Sequence, residues 1–554
     1  LQNTNNGGVY VNKATTRTAA AVMAICMTIL AGCQSGEKTA STTPAAAGDG
    51  KSAKEIPTVE IMTAWDPGLP ISSDLPVFVE WGKRTGIKFN VNSPPRDAFK
   101  EKINIVLTSG QLPDMMKFFQ DETTQKEYGP QLFVALDDYM KAGKLPNLER
   151  WLKKYPEIEK AMRRPEDGKL YGFPLVQDFD FATTLWQVRN DLLKKEGLDA
   201  SQIQSVDDLK KAMLALKKQT GDYITSSRLG FDYFAERSQV YFGVNVNNGP
   251  NNGMMFDPEQ KKFMFAPVDY KERYKQWVEL MRWMYAEKLL HPNFLTMKDQ
   301  ELFAGYASDD FPLMLEQTAM KNLNMTDDPA KEVQPIYPFK IDGKIQSQNL
   351  DPHYNIHYRS PLVINKKSKY IDEIIKAMDY TYSDAGIELL MLGVEGETFS
   401  KDPKTPSGYK FDKTQSAWTV GADGKFPDGL KKGTEYGYGT WWLTGVIPAA
   451  ARYSTWSYKE GQEKEAQLVP DRMKKLKELG ALRDPEPALN WNKEESSKIS
   501  EISTAMKTYI SENVTKFILG QKPMTEWDAF TDGFKKLRYE ELANMYNEKY
   551  KTLK

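Results

Sequence analysis

Histidine is nearly absent from this chain. Three histidines among 554 residues leave little material for a His-rich metal centre or for His-based proton transfer, the commonest kind near neutral pH. Cysteine is scarcer still. Cys26 and Cys33 are the only two, and both lie close to the N-terminus, which excludes a disulfide framework and a zinc cluster. The charges nearly cancel, leaving a net −1, so there is no overall electrostatic pull toward nucleic acid. No Gly-x-x-x-x-Gly-Lys-Ser/Thr pattern is present, and neither is a Gly-x-Ser-x-Gly or His-Glu-x-x-His pattern. With 75 acidic residues, counting alone leaves a pair of facing catalytic carboxylates open, but no pattern singles one out.

What is present describes a soluble globular protein: 40% hydrophobic, 12% aromatic and 27% charged residues. The length suits two to four core-sized units. The N-terminal stretch reads as an address. Lys13 and Arg17 flank an uncharged, mostly apolar run over 19–31, too short to span a bilayer comfortably and right for a signal-peptide core. It ends in LAGC (30–33), which resembles the lipobox of bacterial lipoproteins, so Cys33 is the expected acyl acceptor. Residues 34–57 are Ser, Thr, Ala, Gly and Lys with almost nothing large and apolar, and read as a flexible tether. The competing reading of 19–31 is a buried helix, which the coreless tether argues against.

Beyond the tether, Val59, Ile61 and Thr63 alternate as in a strand, and residues 72–86 carry Val77, Phe78 and Trp81 on one helical face before Gly86. Ile87, Phe89 and Val91 alternate again. Phe99, Ile103, Val106 and Leu107 return to helical spacing, closed by Gly110, and 112–119 predicts a third strand. This alternation argues for an α/β fold with a mainly parallel sheet. Later segments are more helical. Ser205 to Asp208 opens a helix carrying Leu209, Met213 and Leu216. Tyr270, Tyr274, Trp277, Met281 and Met284 form a stripe best read as core. Ile371, Ile374, Ile375 and Met378 form another face, as do Trp527, Phe530, Phe534 and Leu537. No tandem repeat of fixed period is present.

Several local patterns occur in a definite order: GQLPD (110–114), DGKLYGFP (167–174), LWQVRNDLLKKEGL (185–198), EKLLHPNF (287–294), and YSDAG (382–386) leading to LGVEGE (392–397). Together they resemble the family 1 extracellular solute-binding proteins of ABC importers, in particular the large lipoprotein branch that binds oligosaccharides, from about residue 58 onward. The resemblance implies a two-lobed α/β fold of the periplasmic-binding-protein kind, with a ligand cleft between lobes and a helix-rich C-terminal part. It places a first crossing near 174–177, a return near 312 and a second crossing near 366. The expected organisation is then a signal peptide (1–33), a tether (34–57), a first lobe (58–176 and 312–365) and a second (177–311 and 366–554). It further implies a non-enzymatic receptor outside the cell membrane, tethered by lipid on Cys33 and monomeric. Such a receptor would capture an oligosaccharide by closing its lobes and deliver it to permease subunits driven by a separate ATPase. Nothing calls for a cofactor.

A sugar ring offers an apolar face to an aromatic ring and a rim of hydroxyls to carboxylates, amides and guanidinium groups. Such residues gather at five places near strand ends and crossings. These are Trp65 and Asp66; Phe119, Gln120 and Asp121; Gln177 and Asp178 with Trp186 and Arg189; Tyr354, His357, Tyr358 and Arg359; and the glycine-punctuated Tyr436, Tyr438, Trp441 and Trp442. For any single aromatic, packing is the competing reading. Trp186 also suits the second-lobe core, and Arg189 a structural ion pair. Trp65 and the Trp441–Trp442 pair stand out because turn residues surround them.

His353 and His357 are four apart, but their context reads as loop and strand with no third ligand, so no metal is expected there. Some relatives carry an EF-hand-like calcium loop after the helix in the second lobe. Here that position reads QTGDYITSSRLG (219–230), without the alternating Asp/Asn ligands calcium needs. The other readings are a lipid-anchored glycosidase or lyase, and a binding protein for peptides or other small solutes, since one fold serves many ligands.

Overall fold

The computed structural model describes residues 55–64, 71–118, 122–177, 185–228, 230–244, 253–315, 331–346, 349–350, 361–403, 408–411, 414–415, 431–432, 449–450, 463–483 and 486–553. Along the chain, β1 (Thr58–Met62), α1 (Pro76–Thr85), β2 (Lys88–Asn92), α2 (Arg96–Ser109) and β3 (Met115–Lys117) alternate as the sequence predicts. Then come α3 (Glu122–Leu132), α4 (Pro146–Lys154), α5 (Pro156–Met162) and the short β4 (Val176–Gln177). A second run contains β5 (Gln187–Arg189), α6 (Val206–Thr220), α7 (Gly230–Gln239), α8 (Lys271–Ala286), β6 (Leu313–Met314) and β7 (Val333–Pro335). After these come β8 (Leu362–Ile364), α9 (Ile371–Thr381), α10 (Asp384–Leu392), β9 (Ala449–Ala450), α11 (Glu463–Glu478), α12 (Lys493–Ile518), α13 (Trp527–Lys536) and α14 (Tyr539–Lys551).

The first sheet has the order β8-β3-β1-β2. β1 is parallel to both neighbours, with Ile61 opposite Val91 on one side and Met115 on the other, while β8 runs antiparallel to β3 with Leu362 opposite Lys117. Pleating sends successive side chains to opposite faces. Val59, Ile61 and Met115 therefore pack with Val77, Phe78 and Trp81 of α1, whereas Met62 and Met116 meet Phe99, Ile103 and Leu107 of α2. A sheet covered on both faces buries both sets of side chains. β3 is shorter than the predicted 112–119. Pro113 cannot donate to a ladder, and past Lys117 the pairing with β8 continues by one bond, the Phe118 N–H donating to the Pro361 carbonyl at 2.9 Å.

The apolar helix faces divide between two cores. One contains Val59 to Val176 together with Leu362 to Phe399; the other contains Trp186 to Ile341 together with Ile499 to Tyr546. The fold is thus two-lobed. Its partition differs from the expected one in the middle of the chain. β6 and β7 both pair antiparallel with β5, which holds Leu313, Val333 and their neighbours to the second lobe. The clean face of α9, with Ile374, Ile375 and Met378, lies in the first core instead, where Trp81 donates its indole N–H to the Ala377 carbonyl at 3.1 Å. Residues 312–341 and 371–399 therefore exchange places relative to the sequence-based boundaries. Backbone pairing decides this, and periodicity does not record it.

Two local devices fix α9 and α10. The carboxylate of Asp379 accepts from the Asn147 and Leu148 backbone N–H groups at 3.0 Å and from the Asn147 amide at 2.7 Å. It thereby caps the N-terminus of α4, which has no side-chain cap of its own. Ser383 caps α10 by accepting from the Gly386 N–H at 3.0 Å, and a Cβ on Gly386 would collide with the Tyr380 carbonyl oxygen. That is the physical content of the YSDAG motif.

Candidate functional site

In an open α/β sheet the crevice for ligand lies beyond the carboxyl ends of the parallel strands. Here the β1–β2 ladder continues one step past the strands, with the Thr63 N–H donating to the Asn92 carbonyl at 3.0 Å. β3 ends at Lys117 and Phe118. Because β8 is antiparallel, its first residue, Leu362, lies beside the last residue of β3. Phe173 bridges Leu362 in turn, so the approach to β4 borders the same rim. The chain leaves this rim at Ala64, Phe118 and Val176–Gln177 and arrives on it at Pro361. These are the points where the predicted stretches around Trp65, Phe119, Asp178 and Tyr354 join the described fold. The fifth stretch precedes β9, whose Ala449 and Ala450 pair in parallel with Val176 and Gln177.

Most of the predicted contact residues lie outside the described residues: Trp65, Asp66, Phe119, Gln120, Asp121, Asp178, Tyr354, His357, Tyr358, Arg359, Tyr436, Tyr438, Trp441 and Trp442. The same holds for Cys33 and for residues 34–54 of the tether. Gln177 is placed by its backbone in β4.

The two predicted residues that are fully described are structural. Trp186 is 0% exposed, and its indole N–H donates to the Arg237 carbonyl at 3.1 Å. Its ring lies 5.1 Å from that of Tyr241, whose hydroxyl accepts from the Trp186 N–H and donates to the Ile336 carbonyl. A ring with no exposed surface offers no face to a sugar. Arg189 is buried between Asp191, at 2.7 Å, and Asp309. Its guanidinium is satisfied within the second lobe. Both are corrections to the ligand assignment, and both match the competing reading drawn from sequence.

One rim residue was not singled out by sequence. Lys117 is 3% exposed, and among the described residues its ammonium has no hydrogen bond or ion pair. Burial pushes it down to about 7. On the second lobe, the side chains close to the crossing are also polar and buried: Gln187, whose amide oxygen accepts from Arg472 at 3.4 Å, and Arg237, over the Tyr233 ring at 4.6 Å. The signal for Lys117 was a charged residue inside an otherwise apolar strand, MMKF, which sequence analysis passed over as part of a core element.

Among the described residues no group of three or more His, Cys, Asp or Glu is placed to hold a metal ion. In the turn after α6, Asp222 is paired with the ammonium groups of Lys217 at 2.9 Å and Lys288 at 3.6 Å. A hollow of about 390 Å³ lies between the ends of α8 and α12, lined by Tyr223, Arg282 and Leu519 among others. None of its lining residues belongs to the strand-end rim, and Arg282 there is committed to the Phe517 and Lys522 carbonyls.

The model of a family described as bacterial extracellular solute-binding protein matches residues 70–388, more than half of the chain. The chain belongs to this family. In this solute-binding protein the match begins after β1 and ends within α10. Lipoprotein LipO of Bacillus subtilis (strain 168) is 25% identical over 211 residues, a match spanning 35% of this chain and 39% of that protein. In fold, the protein is similar to FusA of S. pneumoniae, an ABC-transporter substrate-binding protein solved with kestose, at a TM-score of 0.68 and 19% identity over 90% of this chain and 99% of that one. It is similar to an extracellular solute-binding protein from Bifidobacterium longum subsp. infantis at a TM-score of 0.70, with 16% identity and coverage of 90% and 99%. It is also similar to the alginate-binding protein AlgQ2, solved without calcium, at a TM-score of 0.65, with 18% identity and coverage of 90% and 98%.

Proposed function

We propose that this chain is the lipid-anchored, extracytoplasmic capture subunit of an ABC importer for oligosaccharides. In this reading it acts as a monomer, binds its ligand unchanged between the two lobes and passes it to permease subunits powered by a separate ATPase. The observation that carries the reading is the convergence of the strand ends of the first lobe, the β4 crossing and the start of β8 on one rim, in a chain of the solute-binding family. Solved neighbours with sugar ligands support the ligand class, and LAGC (30–33) with the LipO relative supports the anchor. The ligand acts by making better contacts in the closed arrangement than in the open one.

The test is a thermal-shift screen against oligosaccharides, peptides and other small solutes, with the ligand recovered and analysed afterwards. Binding to the folded state alone raises the midpoint as ligand concentration increases. A dose-dependent rise with one oligosaccharide class, and ligand returned intact, is the expected result. Cleaved ligand would replace the receptor with a glycosidase or lyase, and a rise only with peptides would replace the sugar. For the anchor, Cys33→Ala should release the protein from the membrane fraction; retention there would sink the lipid assignment.

A further inference from the structure

The buried, unpaired lysine at the strand-end rim has chemistry that a neutral sugar does not match. Lys117 is the last residue of β3 and shares a sheet face with Met115. Leu362 lies opposite it on β8, and the β1–β3 register, continued one step, sets Thr63 on its other side. Only 3% of the residue is exposed. Phe118, the next residue, turns to the other face and packs on Phe133 at 5.8 Å.

The charged groups of the elements around it are occupied or absent. The carboxylate of Asp114, before β3, accepts from the Glu60 N–H and the Ser368 hydroxyl. Glu60 of β1 lies one residue out of phase with Val59 and Ile61, so it faces the other side of the sheet. β8 contributes Leu362, Val363 and Ile364 only. On the helices of this face, Glu80 pairs with Arg84, and Asp379 caps α4. No neighbouring charge acts on the lysine, and burial is the whole cause of its depressed value.

We propose that Lys117 is the recognition point for an acidic group on the ligand, and that the oligosaccharide captured here carries a carboxylate, as a uronic acid does. This rests on the reading of the chain as an oligosaccharide receptor. An ammonium with three donors and no internal acceptor is met by a carboxylate with both charge and hydrogen bonds, whereas a sugar hydroxyl supplies the hydrogen bond alone. The lysine is costly in the unliganded fold, and the ligand relieves that cost on binding.

The experiment compares the full chain with its Lys117→Met, Lys117→Gln and Lys117→Arg variants, each checked for fold by circular dichroism. Affinities are measured by titration calorimetry for uronate di- to tetrasaccharides, their carboxyl-reduced neutral counterparts and sulfated counterparts. The wild-type chain should favour the uronate over its reduced counterpart by about 10- to 100-fold. Met and Gln should erase that preference, with a melting temperature at or above that of the wild type. Arg should retain the preference. Equal binding of uronate and reduced sugar by the wild type, or an unchanged preference in both neutral variants, would overturn the proposal and leave the receptor intact. Preference for the sulfated series over the uronates would overturn the carboxylate assignment. Absence of binding to any saccharide would overturn the proposed sugar receptor together with this inference.

Discussion

Lys117 and Asp379 are both buried charges in the first lobe, and their surroundings treat them oppositely. Asp379 receives three N–H donors; Lys117 meets no acceptor among the described residues. Asp379→Ala should therefore cost about 1–3 kcal/mol, since it strands the amide groups at the start of α4, measurable as a lower denaturant midpoint. For Lys117 the sign is reversed. Its value falls from 10.5 in the unfolded chain to about 7 in the folded one. Between those limits the unfolded chain holds a proton that the folded chain lacks, so stability rises with pH across that window and is flat below it. Lys117→Met should accordingly melt higher than the wild type near neutrality, and its advantage should shrink as the pH approaches 10.5. A lysine held for structural reasons would give a Met variant that melts lower at every pH. Trp186 gives a third residue-level contrast. Trp186→Ala should cost about 3–5 kcal/mol of stability by opening a cavity, while ligand affinity measured well below the melting transition should stay within about twofold, as expected of a side chain that touches no ligand.

Among the elements, those with a strong period of their own were legible. The stripe of Tyr274, Trp277, Met281 and Met284 is fully buried in α8, and Trp527, Phe530 and Phe534 are fully buried in α13, as their spacing implies. The start of α6 at Ser205 was legible for a similar reason: its hydroxyl accepts from the Asp208 N–H at 3.1 Å, a purely local contact. What spacing could not show is which partner an element chooses. β6, β7 and β8 are two or three residues long, too short for alternation to register, and the lobe to which each belongs is set by backbone bonds to strands far away in sequence. At the site, Trp186 and Arg189 were drawn in by a motif whose residues serve the start of β5. Lys117 was passed over because a single lysine does not disturb an apolar strand pattern. The turn after α6 illustrates the same locality. Lys217 donates to the Glu287 carbonyl at 2.6 Å besides pairing with Asp222, and Lys288 reaches the same carboxylate. Two ammonium groups around one carboxylate repel a further cation, so neither calcium nor a chelator should move the melting temperature. A chelator-induced fall would show that a cation does bind this protein.

At the scale of the whole molecule, two separate apolar cores imply two cooperative units. Polar contacts link them ahead of α12: Asn490 donates to the Lys160 and Arg163 carbonyls and accepts from Lys126 at 2.8 Å, and Lys493 pairs with Glu127. A few part-buried and exposed polar contacts of this kind couple lobes weakly. Calorimetry of the unliganded protein should therefore resolve two overlapping transitions. A ligand held by both lobes should merge them, with a gain of about 2.7 kcal/mol at a hundredfold excess over Kd. A single transition without ligand would mean that the lobes already melt as one.

The second core has a consequence in time as well as in space. Its walls come from residues 186–341 and from 499–546, so this lobe holds an incomplete core until Leu542 and Tyr546 have been synthesised. The first lobe has everything it needs once Phe399 has appeared. A growing chain must therefore carry the exposed faces of α7 and α8 through the making of about 260 further residues or more, at about 5–20 residues per second. That interval is when holdase chaperones have most to bind, and truncations within α12–α14 should yield aggregates in which the first lobe alone resists protease.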